Sequence, residues 1–298
     1  MSGKPPKDTT VAQLERAPVQ VLGRIMESSN AALLCTVEEA GGAMGQAVFK
    51  PLASERRLHD FPPATLALRE VAAWRLSRLA GFDVVPPTVL RELPGYGLGS
   101  LQAWVENAPG EGAGIGVLPA REFGPGASPA AGARSGTGIG TAGWIPVVAA
   151  QDEDGEDVVI AHRDTPGLRR IALFDLLANN ADRKGSHLVY GHWDPVSGAR
   201  PGLYGIDQGL CFHPEEKLRT VLWGFSGRAF SAWERELLGN AGSEHTRQAL
   251  APLLGAEEIE ALVERAARLL DAGAFPRPPA DRMALPWPPL WGIGRGVS

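Results

Sequence analysis

The segment from Leu168 to Phe212, LRRIALFDLLANNADRKGSHLVYGHWDPVSGARPGLYGIDQGLCF, limits the folds open to this chain more than any other stretch. Asp164 as N-cap and Pro166 in the first turn predict a helix start. Ile171, Phe174, Leu176, Leu177 and Ala178 leave that helix little polar surface, so it is expected to be buried on most sides. A polar loop carrying Asp182 follows. LVY and LYGI are short β-prone runs on either side of the turn-rich GHWDPVSGARPG, and Asp207 closes the second run. Two carboxylates at the two ends of one hairpin can divide a reaction between them. One orients a hydroxyl while the other binds a divalent cation on a phosphate.

NADRKGSH followed by IDQGLCF resembles the catalytic loop and metal motif of the phosphatidylinositol 3-/4-kinase-like atypical kinases, nearest the type II phosphatidylinositol 4-kinases and an uncharacterised actinobacterial group. HipA-type and Fam20-type kinases use a related loop. The shared pattern is D-R-x-x-x-N and then D-x-G. It aligns Asp182 with the catalytic aspartate and Asp207 with the metal-binding one. Lys184 stands where related kinases carry a basic residue that meets the γ-phosphate. Asn180 can orient Asp182 or face the metal, and Arg183 can hold the loop. His187 departs from the pattern, standing where most of the family has a metal-binding Asn. Imidazole suits Mn²⁺ better than Mg²⁺. The resemblance implies an α+β, two-lobed protein-kinase-like fold with a β-rich N-lobe and a helical C-lobe. It also implies ATP and Mg²⁺ or Mn²⁺ as cofactors, and transfer of the γ-phosphoryl group to a hydroxyl.

The rest of the chain is assigned around that expectation. Residues 1–17 are expected to form a mobile arm and 18–106 the nucleotide-binding N-lobe. VQVLGRIMES and ALLCTVEEAGGAMGQAVFKP predict two or three strands, the last ending at Lys50 before Pro51. A lysine there can reach the α and β phosphates of a nucleotide. The loop between the first strands offers Ser28 and Ser29 as a phosphate cover, without a Walker A or GxGxxG pattern. A helix over 65–80 carries Leu68, Val71, Ala72, Leu76 and Leu79 on one stripe, with Gly81 as its stop. Glu70, off that stripe, follows Lys50 at the separation at which kinases pair a lysine with a helix glutamate. FDVVPPTVLREL and GLGSLQAWVEN give two more strands. Within the second, Gln102, Trp104 and Val105 are expected at the hinge that meets an adenine.

Residues 107–143, rich in Gly, Ala, Pro and Ser, read as a flexible insertion. WIPVVAAQDEDGEDVVIAH predicts a hairpin turning at Asp154–Gly155. His162-Arg163-Asp164 spells the HRD of ordinary protein kinases. The Asn that motif requires five residues later is Arg169 here, so Asp182 is the better candidate. The C-lobe is expected over 144–280, ending in amphipathic helices such as the one bearing Ile259, Leu262, Val263, Ala266 and Leu270. The Trp- and Pro-rich tail, 281–298, is expected to dock on the body.

Composition narrows the partners. A net charge of −5 argues against nucleic acid as a dominant partner. Two cysteines, Cys35 and Cys211, without a CxxC, predict neither a disulfide framework nor a zinc site. No apolar run reaches membrane-spanning length, and no polybasic run marks a strong membrane surface. A cytoplasmic nucleotide-binding protein with an unidentified lipid, protein or small-molecule hydroxyl acceptor is the expectation. A pseudokinase and a nucleotidyl transferase on the same fold are the alternatives.

Overall fold

The computed structural model describes residues 7–25, 32–38, 44–110, 112–123, 142–193 and 201–290. Its N-terminal lobe is a five-stranded antiparallel sheet in the order β1-β2-β3-β5-β4. The strands are β1 (Val19–Arg24), β2 (Leu33–Glu38), β3 (Met44–Pro51), β4 (Thr88–Leu93) and β5 (Gly97–Ala103). Alternation puts Leu33, Cys35, Val37, Ala47, Phe49 and Leu101 on one buried face. Helix α1 (Lys7–Arg16) covers that face, with Leu14 only 3% exposed. The expected mobile arm is therefore a docked helix from Lys7 onward. Its end is tied down by Arg91 of β4, which donates to the Leu14 carbonyl at 2.6 Å and to that of Ala17.

Helix α2 (Leu66–Ala80) follows β3 and stops at Gly81, whose φ of 88° closes it in the left-handed region. Its predicted stripe is too narrow. Arg69, Glu70, Ala73 and Ser77 are buried as well, while Leu68 and Leu79 are half-buried. The reason lies outside the helix, which is sandwiched between the sheet and two later helices, α4 (Ala232–Ala241) and α5 (Glu244–Leu250). Val71, Ala72, Leu76 and Ala80 belong to the core of the second lobe. Arg69, 1% exposed, pairs with Glu258, donates to the Cys211 carbonyl and lies over the Phe61 ring.

The chain leaves the sheet through β6 (Glu106–Asn107) and β7 (Ile115–Pro119). β7 pairs antiparallel with β9 (Asp157–Arg163), which pairs with β8 (Trp144–Gln151), in the order β7-β9-β8. Part of the predicted flexible insertion is thus β-structure. The short β-prone run of Ile115, Val117 and Leu118 is hidden by the glycine-rich composition around it. Residues 124–141 of that insertion lie outside the described residues. The predicted hairpin is present and turns through Gly155 at φ 80°.

His162 of β9 has no solvent exposure. Its Nδ1 lies 2.9 Å from the Arg163 carbonyl, its Nε2 has no partner, and its ring packs 4.7 Å from Phe225. Burial pulls its pKa down from 6.5 to about 4. Between those pH values the unfolded chain takes up a proton that the folded one refuses, so stability falls as pH drops through the window. His162 contributes a slope of up to about 1.4 kcal/mol per pH unit. Urea unfolding across that range should show a shallower loss for His162→Phe than for the wild type, and equal slopes would contradict this.

The C-terminal lobe is built on α3 (Pro166–Ala178), α4, α5 and α6 (Ala256–Ala272). The cap of α3 is Thr165, whose Oγ1 accepts from the Leu168 N–H at 3.3 Å. Asp164, expected as that cap, pairs instead with Arg228 at 2.8 Å. On α6 the buried face holds Ile259, Leu262 and Ala266 as expected, and adds Arg265 and Leu269. Tail residues 282–289 run back along the body. The Ala284 carbonyl accepts from Thr220 N–H (3.1 Å) and Trp223 Nε1 (2.8 Å), and the Pro289 carbonyl accepts from Gly185 N–H (2.9 Å). Both cysteines are buried and free. Among the described residues no helix is long and apolar enough to cross a membrane.

Candidate active site

The cleft between the lobes is organised by a buried polar hub. α3 is apolar on nearly every side, yet Asp175 sits in it with no exposure. Arg183, equally buried, meets that carboxylate through Nε (2.9 Å) and Nη2 (3.0 Å). Its Nη1 donates to the carbonyls of Ile206 (2.8 Å) and His187 (3.2 Å). One guanidinium thus ties helix α3, the loop after it and the end of the following hairpin into one unit. That hairpin is β10 (Leu188–His192) with β11 (Gly202–Gly205).

Two asparagines complete the loop. Asn179 closes α3 at φ 55°, and its side chain binds the carbonyls of His213 (2.8 Å) and Glu215 (2.6 Å) and the Lys217 N–H (2.9 Å). Asn180 is fully buried. Its Nδ2 donates to Asp175 Oδ1 (3.1 Å) and Gln208 Oε1 (3.2 Å), and its Oδ1 accepts from the Asp182 N–H (2.9 Å). That bond holds Asp182 in place, as one sequence expectation had it. The other, Asn180 as a metal ligand, is withdrawn, because the side chain faces the hub and both its polar ends are taken.

Lys50, Glu70, Asp182 and Asp207 line one cleft of about 160 Å³ together with Gly209 and Leu210. Lys50 Nζ lies 2.5 Å from Glu70 Oε1 and 2.9 Å from Asp207 Oδ1. Burial works against the ammonium, and the Asp207 and Glu70 carboxylates more than reverse that, leaving its pKa raised. The same pairing, led by Lys50, holds the Asp207 carboxyl well below the usual range. Asp207 sits just past β11 at φ 59°, a left-handed conformation that a non-glycine residue adopts at a cost. Gly99 of β5 allows the lysine its position. A Cβ there would run into the Lys50 backbone carbonyl, so only glycine lets the two strands pass.

Asp182 Oδ2 pairs with Lys184 Nζ at 2.9 Å. Burial, with Asp207 adding to it against the opposing Lys184, raises the Asp182 pKa. His187 Nε2 is 3.4 Å from Asp207 Oδ2, and burial lowers its pKa to about 4, so the imidazole is neutral near pH 7. Its Nδ1 and the Glu70 Oε2 are buried atoms without a protein partner. A neutral imidazole nitrogen beside a carboxylate is a mixed N/O donor pair that fits a divalent cation, Mn²⁺ more readily than Mg²⁺.

The hinge expectation fares differently. Gln102 lies inside the sheet, flanked by Val48 and Thr88, and its Nε2 donates to Thr88 Oγ1 at 2.8 Å. The Trp104 N–H donates to the Gln46 carbonyl at 3.0 Å. Neither offers that group to a base, because β5 continues to Ala103 and the link between lobes starts at Trp104, two residues later than expected. Val105 is buried there. Ser28 and Ser29 lie outside the described residues. Asp175 escaped the sequence reading, and its one available signal was a lone acid among apolar residues of α3.

Fold and cleft together define the two-lobed, kinase-like class. No family model matches the sequence. The chain is 40% identical over 285 residues to Protein Rv2133c of Mycobacterium tuberculosis (strain ATCC 25618 / H37Rv), spanning 95% of this chain and 96% of that one, and it belongs to that protein's family. The solved structure of hydra Fam20 with sugar is similar at a TM-score of 0.52 and 15% identity, over 89% of this chain and 87% of the other. A crystal structure of the Golgi casein kinase gives a TM-score of 0.49 at 14% identity, over 91% and 75%.

Proposed function

We infer that this protein is an ATP- and divalent-metal-dependent phosphotransferase acting on a hydroxyl. The observation that carries this reading is the bridge Glu70–Lys50–Asp207, with Asp182 in the same cleft. Four residues from β3, α2, the loop after α3 and the segment just past β11 converge on it.

In the reaction, Lys50, held by Glu70, binds the α and β phosphates of ATP. Asp207 and His187 hold the metal, whose role when bound is to neutralise charge on the phosphate oxygens. Asp182 accepts a hydrogen bond from the acceptor hydroxyl and aims its oxygen at the γ phosphorus. As the new O–P bond forms and the bond from the γ phosphorus to the β–γ bridging oxygen breaks, ADP leaves. The hydroxyl proton passes to Asp182 late, because the transition state is loose. The raised pKa of Asp182 favours that transfer. Lys184, beside Asp182, faces the transferred group.

The loop's resemblance to type II phosphatidylinositol 4-kinases supports phosphotransfer to an alcohol without choosing the alcohol. Phosphorus NMR after incubation of the protein with ATP, Mn²⁺ and a fractionated cell extract as acceptor source, with the paramagnetic Mn²⁺ removed on a chelating resin before the spectrum, tests the reaction. Growth of ADP resonances that depends on Asp182 is the expected result. AMP and pyrophosphate in place of ADP would instead indicate nucleotidyl transfer, and this reading would fall.

Glu70→Gln should weaken the grip on Lys50 while leaving the helix intact. Half-saturation by ATP is expected to rise by about tenfold, the scale of one lost charge-assisted hydrogen bond. An unchanged value would separate Glu70 from nucleotide binding.

A further inference from the structure

Segment 55–65, between β3 and α2, supplies part of one wall of the cleft that holds Asp182. It is anchored in both lobes. The Glu55 carboxylate accepts from the N–H groups of Ala67 (2.7 Å) and Leu66 (3.1 Å) at the start of α2. Lys217 pairs with Asp60 at 3.4 Å, and the Phe61 ring meets that of His213 edge-on at 5.3 Å. The Glu215 N–H donates to His213 Nδ1 (3.0 Å), which leaves Nε2 to donate to the Asp60 carbonyl (2.9 Å). A wall held this way is preorganised for what lies against it.

That wall is apolar. Leu58 and Leu210 are half-buried and pack on the buried cluster of Phe61, Leu66 and Ala181. Leu58, Leu66 and Leu210 all line the cleft. Ala181 directly precedes Asp182, and its N–H donates to the Leu210 carbonyl at 2.9 Å. The charged groups of the lining are paired within the protein: Lys50 with Glu70 and Asp207, Asp182 with Lys184, and Glu55 with the start of α2. Arg56, the other charged residue there, is exposed.

The register of β3 sets which end of a nucleotide reaches the three leucines. Ala47 pairs with Ala103, the last residue of β5 before the link between lobes. Lys50 comes three residues further on, and Pro51 leads from it into the leucine-bearing wall. Val48, on the same face of the sheet as Lys50, does not line the cleft, and neither do Trp104 and Val105 of the link. A nucleotide whose α and β phosphates lie on Lys50, with its base toward the link, therefore points its γ phosphate at this wall. The space against the leucines belongs to the acceptor.

We propose that Leu58, Leu66 and Leu210 form the acceptor subsite, and that the acceptor is a small soluble alcohol with a hydrocarbon group next to its reacting hydroxyl. The proposal rests on the phosphotransfer reading and adds to it the substrate class. The hydrocarbon group covers the leucines, which sets the hydroxyl against Asp182. Burial of apolar surface favours such a group over a polyol, whose further hydroxyls would lose water without gaining partners on that wall. The cleft of about 160 Å³ also takes the γ-phosphoryl group. The hydrocarbon part is therefore no larger than the single ring that an apolar cavity of about 150 Å³ accepts. The alcohol oxygen bonds to the γ phosphorus, the bond to the β–γ bridging oxygen breaks, and the proton passes to Asp182. The products are a phosphate monoester and ADP.

The test uses the full chain, with the rise in melting temperature caused by ATP–Mn²⁺ measured first on every variant. Isopentanol, benzyl alcohol, glycerol and inositol are then offered as acceptors, and the monoester and ADP are quantified by mass spectrometry. The expected result is a monoester of isopentanol or benzyl alcohol, with glycerol and inositol poorer by about tenfold or more in kcat/KM. Leu58→Asn and Leu210→Asn should each raise KM for the hydrocarbon alcohol about tenfold, with Leu58→Met close to the wild type. The response to ATP–Mn²⁺ should be that of the wild type in all three, whereas residues that only support the fold would shift it too. Preference for a polyol, a KM indifferent to both leucines, or no monoester despite a normal ATP response overturns the proposal and leaves the phosphotransfer reading standing. No ATP response in the wild type counts against that reading, and the proposal falls with it.

Discussion

Replacing Arg183 with methionine is expected to destabilise the protein by about 3–5 kcal/mol, the scale for removing one partner of a buried ion pair. The substitution keeps an unbranched stem like that of arginine and removes the guanidinium. Asp175 is then left without a counter-charge in a helix with no solvent exposure, with only the Asn180 amide as donor. The carbonyls of Ile206 and His187 lose their donor as well. Each buried group left unpaired adds about 1–3 kcal/mol. The double variant Asp175→Leu/Arg183→Met should recover part of the loss, because no charge then remains buried, but not all of it, because the two carbonyls stay unpaired. Urea unfolding of the three proteins measures this. A single-variant loss below about 1 kcal/mol, a surface-pair value, would contradict the hub.

Asp182→Asn is expected to lower the rate of ADP formation by about 100- to 10,000-fold, the usual range for losing a positioned proton acceptor. Its affinity for ATP should stay within a few-fold of the wild type, since Lys50, Glu70 and Asp207 remain. Asparagine preserves the shape of the loop, and the backbone N–H of residue 182 can still reach Asn180 Oδ1. Lys184 loses its carboxylate partner in this variant. Equal rates for Asp182→Asn and the wild type would remove Asp182 from the chemistry.

The parts of the site written in adjacent residues were legible in the sequence. Helix α3, the loop with Asp182, the hairpin and Asp207 follow one another over 45 residues, and local periodicity and turn chemistry place them. The Lys50–Glu70 pair was legible through its spacing. The hub was less so, because Asp175, Asn180, Arg183 and Gln208 acquire meaning only when a helix, a loop and a hairpin fold onto each other. Asn179 holds a segment 34 to 38 residues downstream, a contact that no local pattern encodes. The start of the hinge was misplaced by two residues because strand ends depend on which neighbours the strand finds. The docked α1 escaped notice because its anchor, Arg91, is 77 residues from Leu14.

The central claim is that Lys50, Glu70, Asp207 and His187 form a metal-dependent nucleotide site. It is tested most directly by thermal unfolding of the full chain with ATP, with and without Mn²⁺ or Mg²⁺, for the wild type and Asp207→Ala. A ligand that binds only the folded state raises the melting temperature, by about 2.7 kcal/mol of stability at a hundredfold excess over its dissociation constant. The predicted result is a rise that needs the metal, is larger with Mn²⁺ than with Mg²⁺, and is absent in Asp207→Ala. No rise with ATP at millimolar concentration under either metal, or an equal rise in Asp207→Ala, would contradict it.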